Sequence, residues 1–150
     1  MVASGMVKRI FGATAGVTLL LWCCPNQIRK YVMTDITPLF PRQPVPSLKV
    51  ATVGGGSFDL GDSKPENFTM VVFYRGLHCP ICGNYLADLE KKLGDFAERG
   101  VNVVTVSSDG EDRAVEAKSK WGLDKLVMGY GLDLDKAREW GLYISSSNGV

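Results

Sequence analysis

The sequence has 150 residues but only one histidine, His78, and four cysteines, Cys23, Cys24, Cys79 and Cys82. One imidazole excludes any metal site built on several histidines. Four cysteines, two adjacent and two separated by two residues, are too few for a disulfide scaffold. They are also too unevenly placed for a four-cysteine zinc site. An excess of charge of one sign is missing as well, since 17 Lys and Arg face 16 Asp and Glu, a formal +1. That balance argues against nucleic acid as a partner, because such binding rests on a basic surface. No internal repeat or low-complexity tract is present, and no proline follows Pro80. What remains is ordinary: 45% hydrophobic and 22% charged residues, which excludes wholesale disorder, at a length suited to one domain.

The charge balance is uneven along the chain. Residues 1–32 contain Lys8, Arg9, Arg29 and Lys30 and no acid, so the remaining 118 residues hold 13 bases and all 16 acids, a charge of −3. Behind the first basic pair, residues 10–24 (IFGATAGVTLLLWCC) form an apolar run with the shape of a signal-peptide core. It is short for a spanning helix, which needs about 20 residues. No A-x-A-like cleavage site follows, Trp22 stands where a lipoprotein site wants a small residue, and both ends are basic,. Cys23 and Cys24 are acylation candidates beside an anchor, or simply small hydrophobes in an apolar run. Residues 1–32 are therefore expected to be a dispensable extension before a natural start at Met33, with a targeting segment as the alternative. The first places the protein in the cytoplasm. The second makes it membrane-anchored or exported, with residues 10–24 as the only means of membrane association.

Residues 33–46 are expected to be a proline-rich lead-in, since PLFPRQPVP (38–46) favours extended geometry,. From residue 47 the patterning becomes that of a folded domain. SLKVATV (47–53) suits a strand, Gly54-Gly55-Gly56 a turn, and SFDL (57–60) a short return. FTMVVFY (68–74) is apolar, β-branched and aromatic, as expected of a central strand buried on both faces. A helix is predicted over 80–99, with Pro80 in its first turn, Gly100 as its stop, and Ile81, Tyr85, Leu89, Leu93 and Phe96 as its buried stripe. VNVVTVS (101–107) reads as a second buried strand and 109–121 as a shorter helix with Ala114, Ala117 and Trp121 on one side. Leu126–Met128 suits a short strand and 132–140 a last helical turn or two. Alternating strand and helix predict an α/β domain over 47–150 with a mainly parallel central sheet flanked by helices. Trp121 and Trp140 are expected to pack its core.

The informative chemistry lies in Tyr74-Arg75-Gly76-Leu77-His78-Cys79-Pro80-Ile81-Cys82. Two cysteines spaced by two residues sit where a buried strand passes into a helix. The first turn of a helix offers unpaired N–H groups and the positive end of the dipole, both of which stabilise a thiolate. The thiolate is the nucleophile, so a cysteine placed there is reactive. A separation of three residues on a helix brings Cys82 under Cys79, within reach of a disulfide. Arg75 and, when protonated, His78 add positive charge near the loop. Arg75 could instead be a structural charge paired with Glu66 or Asp109, and His78 a loop residue that tunes its neighbour.

These residues carry a resemblance. FTMVVFYRGLHCPIC, with YLADLEKKLGDFAERGVNVVTVSSD and GYGLDLDKAREWGLYIS after it, resembles the peroxiredoxin-like branch of the alkyl hydroperoxide reductase/thiol-specific antioxidant (AhpC/TSA) family, within the thioredoxin superfamily. The likeness runs from about Pro41 to Ser145. It implies a thioredoxin-like fold and reduction of peroxides or disulfides by cysteine chemistry. A thioredoxin-type or small-thiol reductant would supply the electrons, and no prosthetic cofactor is needed. Typical peroxiredoxins carry the pattern P-x-x-x-T-x-x-C. On this chain Cys82 falls on its peroxide-attacking cysteine, Cys79 on its Thr and Arg75 on its Pro. Thioredoxins instead attack with the first cysteine of CxxC, here Cys79, a choice that exposure at a helix terminus would favour. The resemblance also implies a later β-hairpin, opened by a proline, and a closing helix. The chain ends at SSSNGV (145–150) without them. That leaves an open sheet edge, an expectation of aggregation unless another chain, such as a second copy in a dimer, supplies the edge.

Two readings from other classes stand beside this one. Cys79, Cys82 and His78 could hold a thiophilic metal, copper or zinc, or the chain could be an inactive truncated fragment. The expected site residues are Cys79, Cys82, Arg75 and His78.

Overall fold

The computed structural model describes residues 36–144, so the readings of residues 1–32, including Cys23 and Cys24, lie outside the described residues. The described part of the proline-rich lead-in, residues 36–46, contains no helix or strand. The elements then follow as β1 (Lys49–Thr52), β2 (Ser57–Asp59), β3 (Phe68–Phe73), α1 (Pro80–Lys91), α2 (Leu93–Ala97), β4 (Val101–Val106), α3 (Glu111–Trp121), β5 (Val127–Tyr130) and α4 (Leu134–Glu139). The strands form one sheet in the order β2-β1-β5-β4-β3.

β3 and β4 pair in parallel over their full length, Phe68 with Val101 through Phe73 with Val106, and β4 pairs in parallel with β5. β1 runs antiparallel to both β2 and β5. The sheet is thus mixed: the crossover helices impose the parallel half, and the Gly54–Gly56 turn imposes the hairpin. The expected α/β, thioredoxin-like architecture with flanking helices is present.

The period of two along the strands divides the core. Val71 and Phe73 of β3, with Val104 and Val106 of β4, face a cluster with Leu48, Val50, Leu132, Ala137 and Trp140. Met70, Val72 and Tyr74 face the other way, onto Leu86, Leu89, Ala117, Leu123, Met128 and Trp121. α4 therefore covers one face, while α1 and α3 cover the other. Both tryptophans expected in the core pack against it, and Phe73 meets Trp140 at a 5.2 Å centroid separation.

Three expectations are corrected. β3 is not buried on both faces: it pairs only with β4 among the described residues, its side chains are half-buried, and Phe68 is 71% exposed. The predicted helix over 80–99 is two helices. The Lys92 N–H turns back to the Leu89 carbonyl at 3.0 Å, a tight turn that ends α1 before α2 begins,. The buried stripe of α1 is Gly83, Leu86 and Leu89, whereas Ile81 and Tyr85 are exposed. The stripe was obscured because its first member is a glycine, which carries no apolar signal. A Cβ on Gly83 would stand 2.6 Å from Trp121 Nε1, so the glycine lets α1 and α3 approach closely at that point.

Candidate active site

The cysteine loop leaves the sheet at the end of β3. Tyr74 is the last residue of that run to pair with β4, its N–H bonding the Val106 carbonyl at 3.0 Å. Gly76 follows with φ +112°, a backbone conformation that glycine adopts without steric cost. The Gly76 carbonyl accepts the Cys79 N–H at 3.1 Å, which closes the turn that delivers the chain to α1.

Cys79 is the N-cap of α1, in extended geometry with Pro80 directly after it. Its Sγ accepts the Cys82 N–H at 3.4 Å. A side-chain acceptor at this position satisfies one of the helix's unpaired donors, and here that acceptor is the sulfur itself. Cys79 and Cys82 are joined as a disulfide, with 5.3 Å between their Cα atoms. α1 has no acidic residue in its first turn, so no carboxylate there opposes a thiolate.

The expected site residues separate into two groups. Cys79 and Cys82 are brought together. Arg75 and His78 lie on the same loop and are exposed, and Arg75 makes no ion pair with Glu66 or Asp109. Asp109 pairs instead with Arg113, at 3.1 Å. The expected exposure of Cys79 is also corrected: it is 9% exposed, and Cys82 is the more open of the two. Helix capping draws the Cys79 sulfur inward over the first turn.

Sequence reasoning named Asp109 only as a possible partner of Arg75 and did not place the groups that lie beneath the loop. The Asp109 carboxylate, 11% exposed, accepts the Leu77 N–H at 2.7 Å. The Tyr74 ring packs edge-on against Trp121, with centroids 6.1 Å apart. Burial pushes the Tyr74 phenol above its ordinary pKa; the neighbouring Ser107 hydroxyl acts against that shift, and the Asp109 charge adds to it. Among the described residues, the buried hydroxyls of Tyr74 and Ser107 have no hydrogen-bond partner of normal geometry. A usable signal existed in the position of Asp109, just beyond the end of a strand parallel to the one that feeds the cysteine loop.

A cavity of about 410 Å³ opens at the start of β4 and β5, lined by Phe58, Leu93, Val101, Lys125 and Val127 among others. It lies at the end of the parallel strands opposite the cysteines, and no site residue lines it. No group of three or more His, Cys, Asp or Glu among the described residues is arranged to hold a metal ion. No helix among them is long and apolar enough to cross a membrane.

The AhpC/TSA family model matches residues 41–147. The chain belongs to the AhpC/TSA family. Membership places it among the thiol oxidoreductases, proteins that in general couple a thiol reductant to a peroxide substrate. A Mycobacterium tuberculosis protein (strain ATCC 25618 / H37Rv) with a provisional peroxiredoxin name is 28% identical over 111 residues, 74% of this chain and 69% of that protein. Two solved structures share the fold. The reduced 2-Cys peroxiredoxin of Plasmodium vivax superposes with a TM-score of 0.63 at 19% identity, over 71% of this chain and 61% of that one. The thioredoxin domain of a thiol-disulfide oxidoreductase from Bacteroides vulgatus gives 0.56 at 21% identity, over 68% and 71%.

Proposed function

We propose that this AhpC/TSA protein is a peroxiredoxin-like enzyme that reduces peroxides through the Cys79–Cys82 pair. The observation that carries the reading is the Cys79 sulfur at the N-cap of α1, accepting the Cys82 N–H beside its disulfide partner. In the reduced protein the same hydrogen bond and the helix dipole favour the Cys79 thiolate over the thiol. Cys79 is therefore assigned the attack and Cys82 the resolution.

The thiolate attacks the peroxide oxygen that bears the hydrogen. An S–O bond forms, the O–O bond breaks, and the leaving oxygen takes a proton to depart as alcohol or water. Cys79 is then a sulfenic acid. The Cys82 thiolate displaces hydroxide from it, which takes up a proton and leaves as water, and the pair becomes the disulfide. An external dithiol of the thioredoxin type, or two small thiols, returns both electrons by exchange at the disulfide. Arg75 and His78, exposed on the loop, are assigned a supporting role as positive charge near the reacting sulfur.

A second reading follows from Cys79 itself. It stands where a typical peroxiredoxin has a Thr, and CxxC at a helix start equally serves exchange with a disulfide substrate. Both readings use the same two sulfurs. A metal-binding role gains no third ligand among the described residues.

Replacing Cys79 with Ser is expected to abolish both peroxide consumption and disulfide reduction. Replacing Cys82 with Ser should end turnover with a dithiol reductant while leaving one round of attack, seen as a trapped sulfenic acid or mixed disulfide on Cys79. Peroxide consumption at the parent rate in both variants would refute the assignment.

A further inference from the structure

Asp109 lies three residues beyond the end of β4, outside the cysteine motif, yet a short series of hydrogen bonds leads from its carboxylate to the Cys79 sulfur. Oδ2 accepts the Leu77 N–H at 2.7 Å. One residue earlier, the Gly76 carbonyl accepts the Cys79 N–H at 3.1 Å. The Cys79 Sγ in turn accepts the Cys82 N–H at 3.4 Å. The carboxylate is itself held in place: Oδ1 takes the Arg113 Nε–H at 3.1 Å, and the Asp109 backbone carbonyl takes the Gly131 N–H at 2.8 Å.

The contact is also close in the steric sense. A Cβ on Gly76 would stand 2.6 Å from Asp109 Cγ and 2.7 Å from Oδ1. Carboxylate and glycine therefore fit together with no room for one more carbon. The turn over Gly76–Cys79 rests on a largely buried side chain from the segment that follows β4, so its shape is set from outside the loop.

We propose that Asp109 is the positioning residue of the cysteine loop, fixing the Leu77 N–H and thereby holding Cys79 at the helix N-cap. The proposal rests on the reading of Cys79 as the reactive thiolate. It assigns Asp109 no contact with substrate and no proton transfer. Its contribution is geometric, through the acceptor atom, rather than electrostatic through its charge. The other charged and titratable groups around the loop are Arg75 and His78 on it, Arg113 paired with Asp109, and the Tyr74 phenol at its base. α1 contributes no acid in its first turn.

Geometry and charge are separated by two conservative variants. Asp109→Asn keeps an acceptor of the same length and removes the charge. Asp109→Glu keeps the charge and adds a methylene that the Gly76 contact has no space for. The readout is the pH profile of Cys79 alkylation in the full-length chain carrying Cys82→Ser, followed at the peptide level so that Cys23 and Cys24 do not contribute. The proposal expects the Asp109→Glu midpoint to rise by roughly half a unit to one unit, the scale of one weakened hydrogen bond. It expects Asp109→Asn to stay at or below the parent midpoint. A parent-like profile in Asp109→Glu, or a rise in Asp109→Asn as large as that in Asp109→Glu, would overturn it. A parent Cys79 that alkylates only at the ordinary thiol midpoint, about 8.5, would instead defeat the underlying assignment of the thiolate.

Discussion

Tyr74 shows how much of this site depends on single side chains that no motif contains. Its phenol is mostly buried at the base of the cysteine loop and, among the described residues, has no hydrogen-bond partner of normal geometry. Burying an unpaired hydroxyl costs free energy that a phenyl ring does not incur. Tyr74→Phe is therefore expected to leave stability near neutral pH within about 0.5 kcal/mol of the parent. Alkaline pH separates the two proteins. The unfolded phenol ionises near 10.0, while burial holds the folded one protonated to higher pH. The contribution of Tyr74 is thus fully present below pH 10.0 and is lost as pH rises through the folded-state value,. Urea unfolding between about pH 9 and pH 11 should show a shallower loss of stability in Tyr74→Phe than in the parent. Parallel losses would contradict this placement of the phenol.

At the scale of elements, α1 is the instructive case. Ile81, Tyr85, Leu89, Leu93 and Phe96 make a plausible stripe by spacing alone, yet Ile81 is 80% exposed and Tyr85 55% exposed. The true stripe begins at Gly83 and continues through Leu86, which is fully buried. Hydrophobic periodicity weighs side chains, so it cannot register a position whose purpose is to have none. The same blindness hid the Trp121 contact, since an indole on one helix and a glycine on another are not linked by any sequence spacing. Leu86→Ala should cost about 2–5 kcal/mol, whereas Ile81→Ser should stay within about 0.5 kcal/mol. Gly83→Ala should cost about 1–3 kcal/mol through overpacking against Trp121. Denaturant midpoints check all three, and a larger loss in Ile81→Ser than in Leu86→Ala would reverse the assigned faces.

At the scale of the whole molecule, the fold was legible because local signals were strong and mutually consistent. β-branched runs at 68–74 and 101–107, a glycine turn at 54–56 and a proline at the start of α1 each specify one element. Their alternation then restricts the parallel strands to right-handed crossovers. The cysteine pair was legible for the same reason, because its spacing and its place after a strand lie within one stretch of chain. What was not legible required contacts across the fold. These are the edge position of β3 in the described sheet, the inward turn of Cys79, and Asp109 reaching Leu77 across 32 residues. The central claim joins these scales: the sheet delivers a loop to a helix start so that two sulfurs can cycle between dithiol and disulfide. The most direct test is to reduce the full-length protein, remove the reductant, add one equivalent of peroxide and map the bridges by peptide mass spectrometry. The account predicts stoichiometric loss of peroxide together with formation of a Cys79–Cys82 bridge and the loss of two hydrogens from that peptide. Peroxide consumption with both thiols still open to alkylation, or a bridge formed elsewhere, would contradict it.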